Sequence, residues 1–129
     1  MDRKLLYTLE AETLQALAHP ARLEILELLR DGEACVCHIQ AMLDQRQAYI
    51  SQHLNILRRA GLVTCRKEGL RVYYQVSDPQ ISEMLHQVET VLQESRQWQP
   101  GTSGSVDLAR QKQACTCPQC SLEPIRQSR

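Results

Sequence analysis

Apolar residues recur at helical spacing through the first half of the chain. Between positions 3 and 18, Leu5, Leu6, Leu9, Leu14, Leu17 and Ala18 fit an amphipathic helix with apolar positions left over beyond one stripe, so this helix is expected to pack on more than one surface. A second helix is expected to open at Pro20, a favoured first helical position, to bury Leu23, Leu26 and Leu29 with Ile25, and to stop at Asp31-Gly32. A short helix over positions 35–43 places Val36, Ile39 and Leu43 on one face, and Asp44-Gln45-Arg46 is a polar break. Over positions 47–60 a further helix turns Ile50, Leu54 and Leu57 inward and leaves Gln47, Ala48, Ser51, Gln52 and Asn55 facing away, with Gly61 ending it.

The period then changes from helical to alternating. Positions 62–66 and 70–76 read as strands, Val72, Tyr74 and Val76 alternating with Arg71, Tyr73 and Gln75, and Lys67-Glu68-Gly69 supplies the turn. Asp78 offers an N-cap and Pro79 a first turn for a last helix whose Ile81, Met84, Leu85, Val88, Val91 and Leu92 form a narrow seam suited to pairing with another helix. After Trp98, Pro100-Gly101-Thr102-Ser103-Gly104-Ser105 has linker composition, and the remainder is polar apart from its cysteines. The expected organisation is a domain over 1–98 and a flexible Cys-containing tail over 99–129; its fold class is mainly α with a two-stranded β-wing.

Length sharpens this picture: 129 residues hold one domain and a short appendage. No apolar run approaches the roughly 20 residues of a membrane-spanning helix, and the start, with Glu10 and Glu12 close behind Leu5-Leu6, lacks the form of a secretory signal. The expectation is a soluble, cytoplasmic protein with no membrane partner. In that reducing compartment the six cysteines read as thiols for metal or redox chemistry rather than as a disulfide framework. They cluster as Cys35 and Cys37, then Cys115, Cys117 and Cys120; Cys65, alternating inward with Val63, reads as wing core.

Net charge is zero, but positions 46–71 carry six basic residues (Arg46, Arg58, Arg59, Arg66, Lys67, Arg71) against Glu68 alone. A local basic surface suits phosphate binding. Helix, helix, short helix, turn, polar-faced helix, basic hairpin and long helix is the order of a winged helix-turn-helix, in which the polar-faced helix enters the major groove. Gln47, Ala48, Tyr49, Ser51 and Gln52 are the candidates for base contact, His53 and Arg58 for the DNA backbone, and Arg66, Lys67 and Arg71 on the wing for the adjacent backbone or minor groove. The competing reading is an ordinary solvated helix and hairpin.

The wording at three places goes further. Ala18-His19-Pro20-Ala21-Arg22-Leu23-Glu24-Ile25-Leu26-Glu27-Leu28-Leu29, the run from Ile50-Ser51-Gln52-His53-Leu54 to Ala60-Gly61-Leu62-Val63, and Arg71-Val72-Tyr73-Tyr74 together resemble the ArsR/SmtB family of metal-responsive repressors, over roughly residues 8–95. The resemblance implies a homodimer through the first and last helices. It also implies binding to an inverted-repeat operator in double-stranded DNA, with release when an inducer binds.

Within that resemblance, Cys35-Val36-Cys37 is similar to the Cys-Val-Cys signature at the third helix of arsenite, antimonite, cadmium and lead sensors. Thiolates are soft donors and select thiophilic ions. As(III) or Sb(III) is the first expectation for the inducer, with Cd(II) or Pb(II) as alternatives. Pulling Cys35 and Cys37 toward an ion would shift the reading helix next door; the plain alternative is a pair of small semi-buried residues.

Arsenite-like ions commonly take three sulfurs. This chain has Gln40 where arsenite sensors carry a third cysteine, and its N-terminal arm lacks the cysteines of cadmium and lead sensors. Cys115, Cys117 or Cys120 is a candidate for the missing donor, since a linker of about 18 flexible residues reaches roughly 23 Å; the alternative is an independent site, Cys-x-Cys-x-x-Cys, within the tail. The zinc sensors of the family carry ligands along the last helix. There Asp78 and Glu94 remain here, but Gln80 and Val91 replace expected histidines, and His86 and Glu89 read as surface residues. A redox- or persulfide-responsive repressor of the same fold is the other reading of the thiols. Cys117-Pro118-Gln119-Cys120 has the form of a thiol-disulfide oxidoreductase motif without the strand and helix that chemistry needs, so no enzyme is expected.

Overall fold

A computed structural model describes residues 1–95. Five helices and a small sheet follow in the order α1 (Arg3–Leu17), α2 (Pro20–Leu28), β1 (Ala34–Cys35), α3 (Val36–Leu43), α4 (Gln47–Arg59), β2 (Val63–Glu68), β3 (Arg71–Val76) and α5 (Pro79–Glu94), with a 3-10 turn at Leu29–Asp31 after α2. Two helix starts are set by side-chain caps: His19 Nδ1 accepts from the Ala21 amide at 3.0 Å ahead of Pro20, and Asp78 Oδ1 accepts from the Gln80 amide at 2.8 Å ahead of Pro79. Such a cap satisfies an amide that the first turn otherwise leaves without a partner.

The core lies between α2, α3 and α4. Ile25, Leu26, Leu29, Ile39, Ile50, Leu54 and Leu57 are all but completely removed from water, each worth about 1.5–3 kcal/mol of transfer free energy. Leu23, expected to join them, is 40% exposed. The inward stripe of α2 runs Arg22, Ile25, Leu26, Leu29 at i, i+3, i+4, i+7, and Arg22 takes the first place because its guanidinium has acceptors there. Its Nε donates to the Ala16 carbonyl at 2.5 Å and an Nη to the Gln15 carbonyl at 3.2 Å, closing the C-terminal end of α1.

Helix α4 ends in a Schellman-type turn. The Leu62 amide donates to the Leu57 carbonyl at 2.9 Å and the Gly61 amide to the Arg58 carbonyl at 3.0 Å, while Gly61 takes φ +77°, which a side chain would resist. The chain then enters the hairpin. Pairing runs from Val63↔Val76 to Glu68↔Arg71, two residues beyond the expected end of the first strand, so the turn is Gly69-Leu70 rather than Lys67-Glu68-Gly69. Gly69 at φ +61° gives the backbone twist that a two-residue hairpin needs.

Two further expectations, for Cys35 and Cys65, are corrected here. The expected two-stranded wing is present as β2 and β3, and β1 extends it to a three-stranded sheet in the order β1-β3-β2, because Ala34 and Cys35 pair with Tyr74 and Tyr73. Cys35 therefore lies ahead of α3 as its N-cap, and not within it. Cys65 is exposed: the hairpin runs out past Val63 into solvent, and beyond its base β2 has no covered face.

Helices α1 and α5 contribute little to this core. Only Ala16 and Leu17 of α1 are buried, and no residue of α5 is, although Ile81 and Leu85 pack against the core edge. Leu5, Leu6, Leu9 and Leu14 on α1, and Met84, Val88, Val91 and Leu92 on α5, stay exposed. No helix of the described residues is long and apolar enough to cross a membrane.

Candidate DNA-reading surface and thiol site

The turn Asp44-Gln45-Arg46 between α3 and α4, with Asp44 left-handed at φ +50°, sets α4 across α3 as the second helix of a helix-turn-helix. Gln47, Ala48, Ser51 and Gln52 face outward as expected, while Tyr49 is half-buried. Arg46, Ser51, Gln52, Asn55, Arg58 and Tyr74 line a shallow concavity between α4 and the wing. Sequence reasoning passed over Arg46 and Tyr74 as members of this surface; the cationic break before α4 was the available signal for the first, and Tyr74 enters only because the hairpin packs behind α4.

His53 departs from its expected role at the DNA backbone. It is 7% exposed, its ring 4.4 Å from that of His19 and edge-on to Tyr49 at 4.5 Å. An Arg22 Nη lies 3.4 Å from His53 Nδ1. Arginine can only donate, so this contact calls for Nδ1 to accept, which the neutral ring with its proton on Nε2 provides. Burial first, then the electrostatic effect of the neighbouring His19 and Arg22, hold its pKa below the ordinary histidine value. The position falls inward because it precedes Leu54 and Leu57 on the stripe that begins at Ile50.

The wing cations occupy different environments. Lys67 is exposed. Arg58 bridges α4 to the wing, donating to Asn55 Oδ1 at 3.3 Å and approaching Cys65 Sγ at 3.9 Å. Arg66 is held by the carboxylates of Glu33, at 2.8 Å from Nε, and Glu68, and lies 4.7 Å over the Tyr73 ring. A phosphate contact by Arg66 would have to exchange for these. The Arg66 hydrogen bonds pull the Glu33 carboxyl below the usual carboxylate range, against the opposing effect of desolvation. Arg71, half-buried, points an Nη at Cys37 Sγ, 3.4 Å away.

The expected thiol pair converges. Cys35 is 2% exposed at the N-cap of α3, Cys37 is half-buried in its first turn, and the two sulfurs are 2.8 Å apart. One ion can touch both. The positive end of α3 and the Arg71 guanidinium both favour negative charge on sulfur, the form that binds soft ions. Among the described residues no group of three or more His, Cys, Asp or Glu side chains is gathered so that it could hold a metal ion. Cys115, Cys117 and Cys120 lie outside the described residues. Neither Glu33 nor the Arg71 contact was singled out as part of this site; side chains over thirty positions apart meet here because β1, too short to show a period, joins the sheet.

A polar-faced helix presented by a helix-turn-helix, flanked by a cationic hairpin, defines a winged helix-turn-helix DNA-binding protein. Residues 19–64 match the bacterial regulatory protein arsR family. An HTH-type transcriptional regulator of Methanocaldococcus jannaschii is 43% identical over 84 residues, covering 64% of this chain and 94% of that protein. The arsenical resistance operon repressor of Escherichia coli is 43% identical over 72 residues, 55% of this chain and 62% of the repressor. A homodimeric winged helix-turn-helix DNA-binding domain from Mycobacterium bovis, solved in solution, superposes with a TM-score of 0.68 at 32% identity, covering 78% of this chain and 94% of that one. The chain belongs to the ArsR family and is a DNA-binding transcriptional regulator rather than an enzyme.

Proposed function

We propose that this regulator is a homodimeric repressor that grips an inverted-repeat operator in its ion-free state and lets go when a thiophilic ion, As(III) or Sb(III) first, is captured at Cys35 and Cys37. The observation that carries this reading is the pair of sulfurs 2.8 Å apart at the start of α3, the helix packed directly against the DNA-reading α4. Thiol-only donors favour soft ions over magnesium or calcium. The similarity to an arsenical resistance operon repressor favours arsenic and antimony within that class, with Cd(II) and Pb(II) as the alternatives.

Coordination requires both sulfurs to turn their lone pairs to one centre. Cys35 is fixed in β1 and Cys37 in the first turn of α3, and two sulfurs bonded to one ion at about 2.3 Å stand farther apart than 2.8 Å, so coordination spreads the pair and strains the turn that seats α3 on α4. The third donor is assigned to the tail, through Cys115, Cys117 or Cys120 of the same or the partner chain. Gln47, Ala48, Ser51 and Gln52, exposed on α4, are assigned to base edges, and Arg58, Lys67 and Arg71 to phosphates. The unit that folds, dimerises and binds DNA is residues 1–98, and 99–129 is its thiol-bearing appendage.

The test uses duplex DNA selected by the protein itself from a random pool, with affinity measured against arsenite, antimonite, cadmium and lead. Cys35→Ser and Cys37→Ser should each abolish the ion response while leaving DNA affinity within about threefold, the scale of a surface change under about 0.6 kcal/mol. A variant that responds as the parent does refutes the assignment. Two neighbouring sulfurs also suit a redox or persulfide sensor of the same fold; release by an oxidant, or by a polysulfide that brings sulfane sulfur, with no metalloid present and no release by any of the four ions, would favour that reading instead.

A further inference from the structure

The segment that carries the thiol pair is tied to the wing at three points. β1 pairs with β3, setting Cys35 opposite Tyr73. Glu33, two residues before Cys35, holds Arg66 of β2 through both of its oxygens. Arg71, at the wing-tip end of β3, directs its guanidinium at Cys37 Sγ from 3.4 Å. The thiol pair therefore touches the hairpin directly, whereas it meets the reading helix through α3.

We propose that Arg71 is a positioning residue that relays ion capture to the wing. The inference rests on the reading of Cys35 and Cys37 as ion ligands. In the ion-free protein the Cys37 sulfur is an acceptor that fixes the guanidinium and, through it, the tip of β3. An ion bound at that sulfur takes up the lone pair that the guanidinium uses and cancels the negative charge of the thiolate, so the attraction that holds Arg71 there is lost. Arg71 must then leave, and the wing loses the anchor that orients its outer end. Release of DNA thus has two routes from one site: through α3 to α4, and through Arg71 to the hairpin.

A residue that only contacts phosphate behaves differently from a relay. Removing a phosphate contact weakens DNA binding equally with and without ion, lowers the salt slope by about one, and leaves the ratio of the two affinities unchanged. Removing a relay shrinks that ratio, which measures the coupling between the two sites. The experiment measures the affinity of wild type, Arg71→Met, Arg71→Lys and Lys67→Met for the selected duplex, with and without saturating arsenite, at several salt concentrations. Circular dichroism melting confirms that each variant is folded, and thiolate-to-arsenic absorbance confirms that each still binds the ion.

Arg71→Met should reduce the with-and-without-ion ratio at least fivefold, Arg71→Lys should restore part of it, and Lys67→Met should weaken binding without changing the ratio. A folded, arsenite-binding Arg71→Met whose ratio equals that of wild type overturns the relay and leaves the sensing site standing. If wild type itself shows the same affinity with and without arsenite, antimonite, cadmium or lead, the sensing site falls and the relay falls with it.

Discussion

At the scale of single residues, the inward turn of His53 has a consequence in pH. Its Nδ1 faces a guanidinium and its ring lies against His19 and Tyr49, so a proton added to Nδ1 would set donor against donor beside two other basic groups. The folded protein binds that proton less readily than the unfolded chain, whose histidine keeps its ordinary value of 6.5. Unfolding then takes up a proton in the window between the lowered value and 6.5, and stability is complete above 6.5 and declines as pH falls through that window. Urea midpoints should drop between about pH 7.5 and about pH 5.5, and the drop should be smaller in His53→Gln. An identical pH profile in that variant would show that His53 takes no part. The sequence places His53 at the DNA backbone and the structure buries it, because histidine serves both as an outward phosphate ligand and as a polar group in a core. What decides is Arg22, 31 positions away, whose place in the inward stripe of α2 cannot be read from a pattern that counts only apolar residues.

Elements with strong periodicity were legible, and those stabilised by partners were not. α4 declares itself by Ile50, Leu54 and Leu57 against a polar face, and α5 by Asp78-Pro79 and its apolar seam. β1 is two residues long and carries no period; it exists because β3 offers it an edge. The exposure of Cys65 was misjudged for a related reason, since alternation assigns a side but not whether anything covers it. The apolar residues left exposed on α1 and α5 point to a second copy of the chain. Val88 and Val91 are 52% and 61% exposed on a helix with no buried residue, a poor arrangement for an isolated protein and a good one for half of a helical interface. The double substitution Val88→Glu, Val91→Glu should give monomers by sedimentation and weaken binding to a two-half-site duplex by about 10²–10⁴, the gain that linking two half-sites confers. A variant that remains dimeric would place the interface elsewhere.

For the whole molecule, the proposed sensing site lies at the junction of β1, α3 and the wing, next to the surface proposed to read DNA. Cys35 and Cys37 were legible from their spacing and setting in the sequence, but their contact with the wing was not, because it depends on side chains brought together only by the closed sheet. If Cys35 and Cys37 bind the ion as proposed, a three-sulfur site takes its third donor from Cys115, Cys117 or Cys120. Deleting residues 115–129 should weaken the response to arsenite by about tenfold or more while sparing DNA affinity, since losing one of three ligands costs at least about 1.4 kcal/mol; unchanged sensitivity would show that the tail supplies nothing.

The most direct measurement follows fluorescence anisotropy of the selected duplex with fully reduced protein at fixed salt, titrated with arsenite and then with a chelating dithiol. Affinity should fall by about 5–150-fold as the ion binds, the usual span of coupling between two sites, and recover when the dithiol removes it. Equal affinity with and without bound ion would contradict the account.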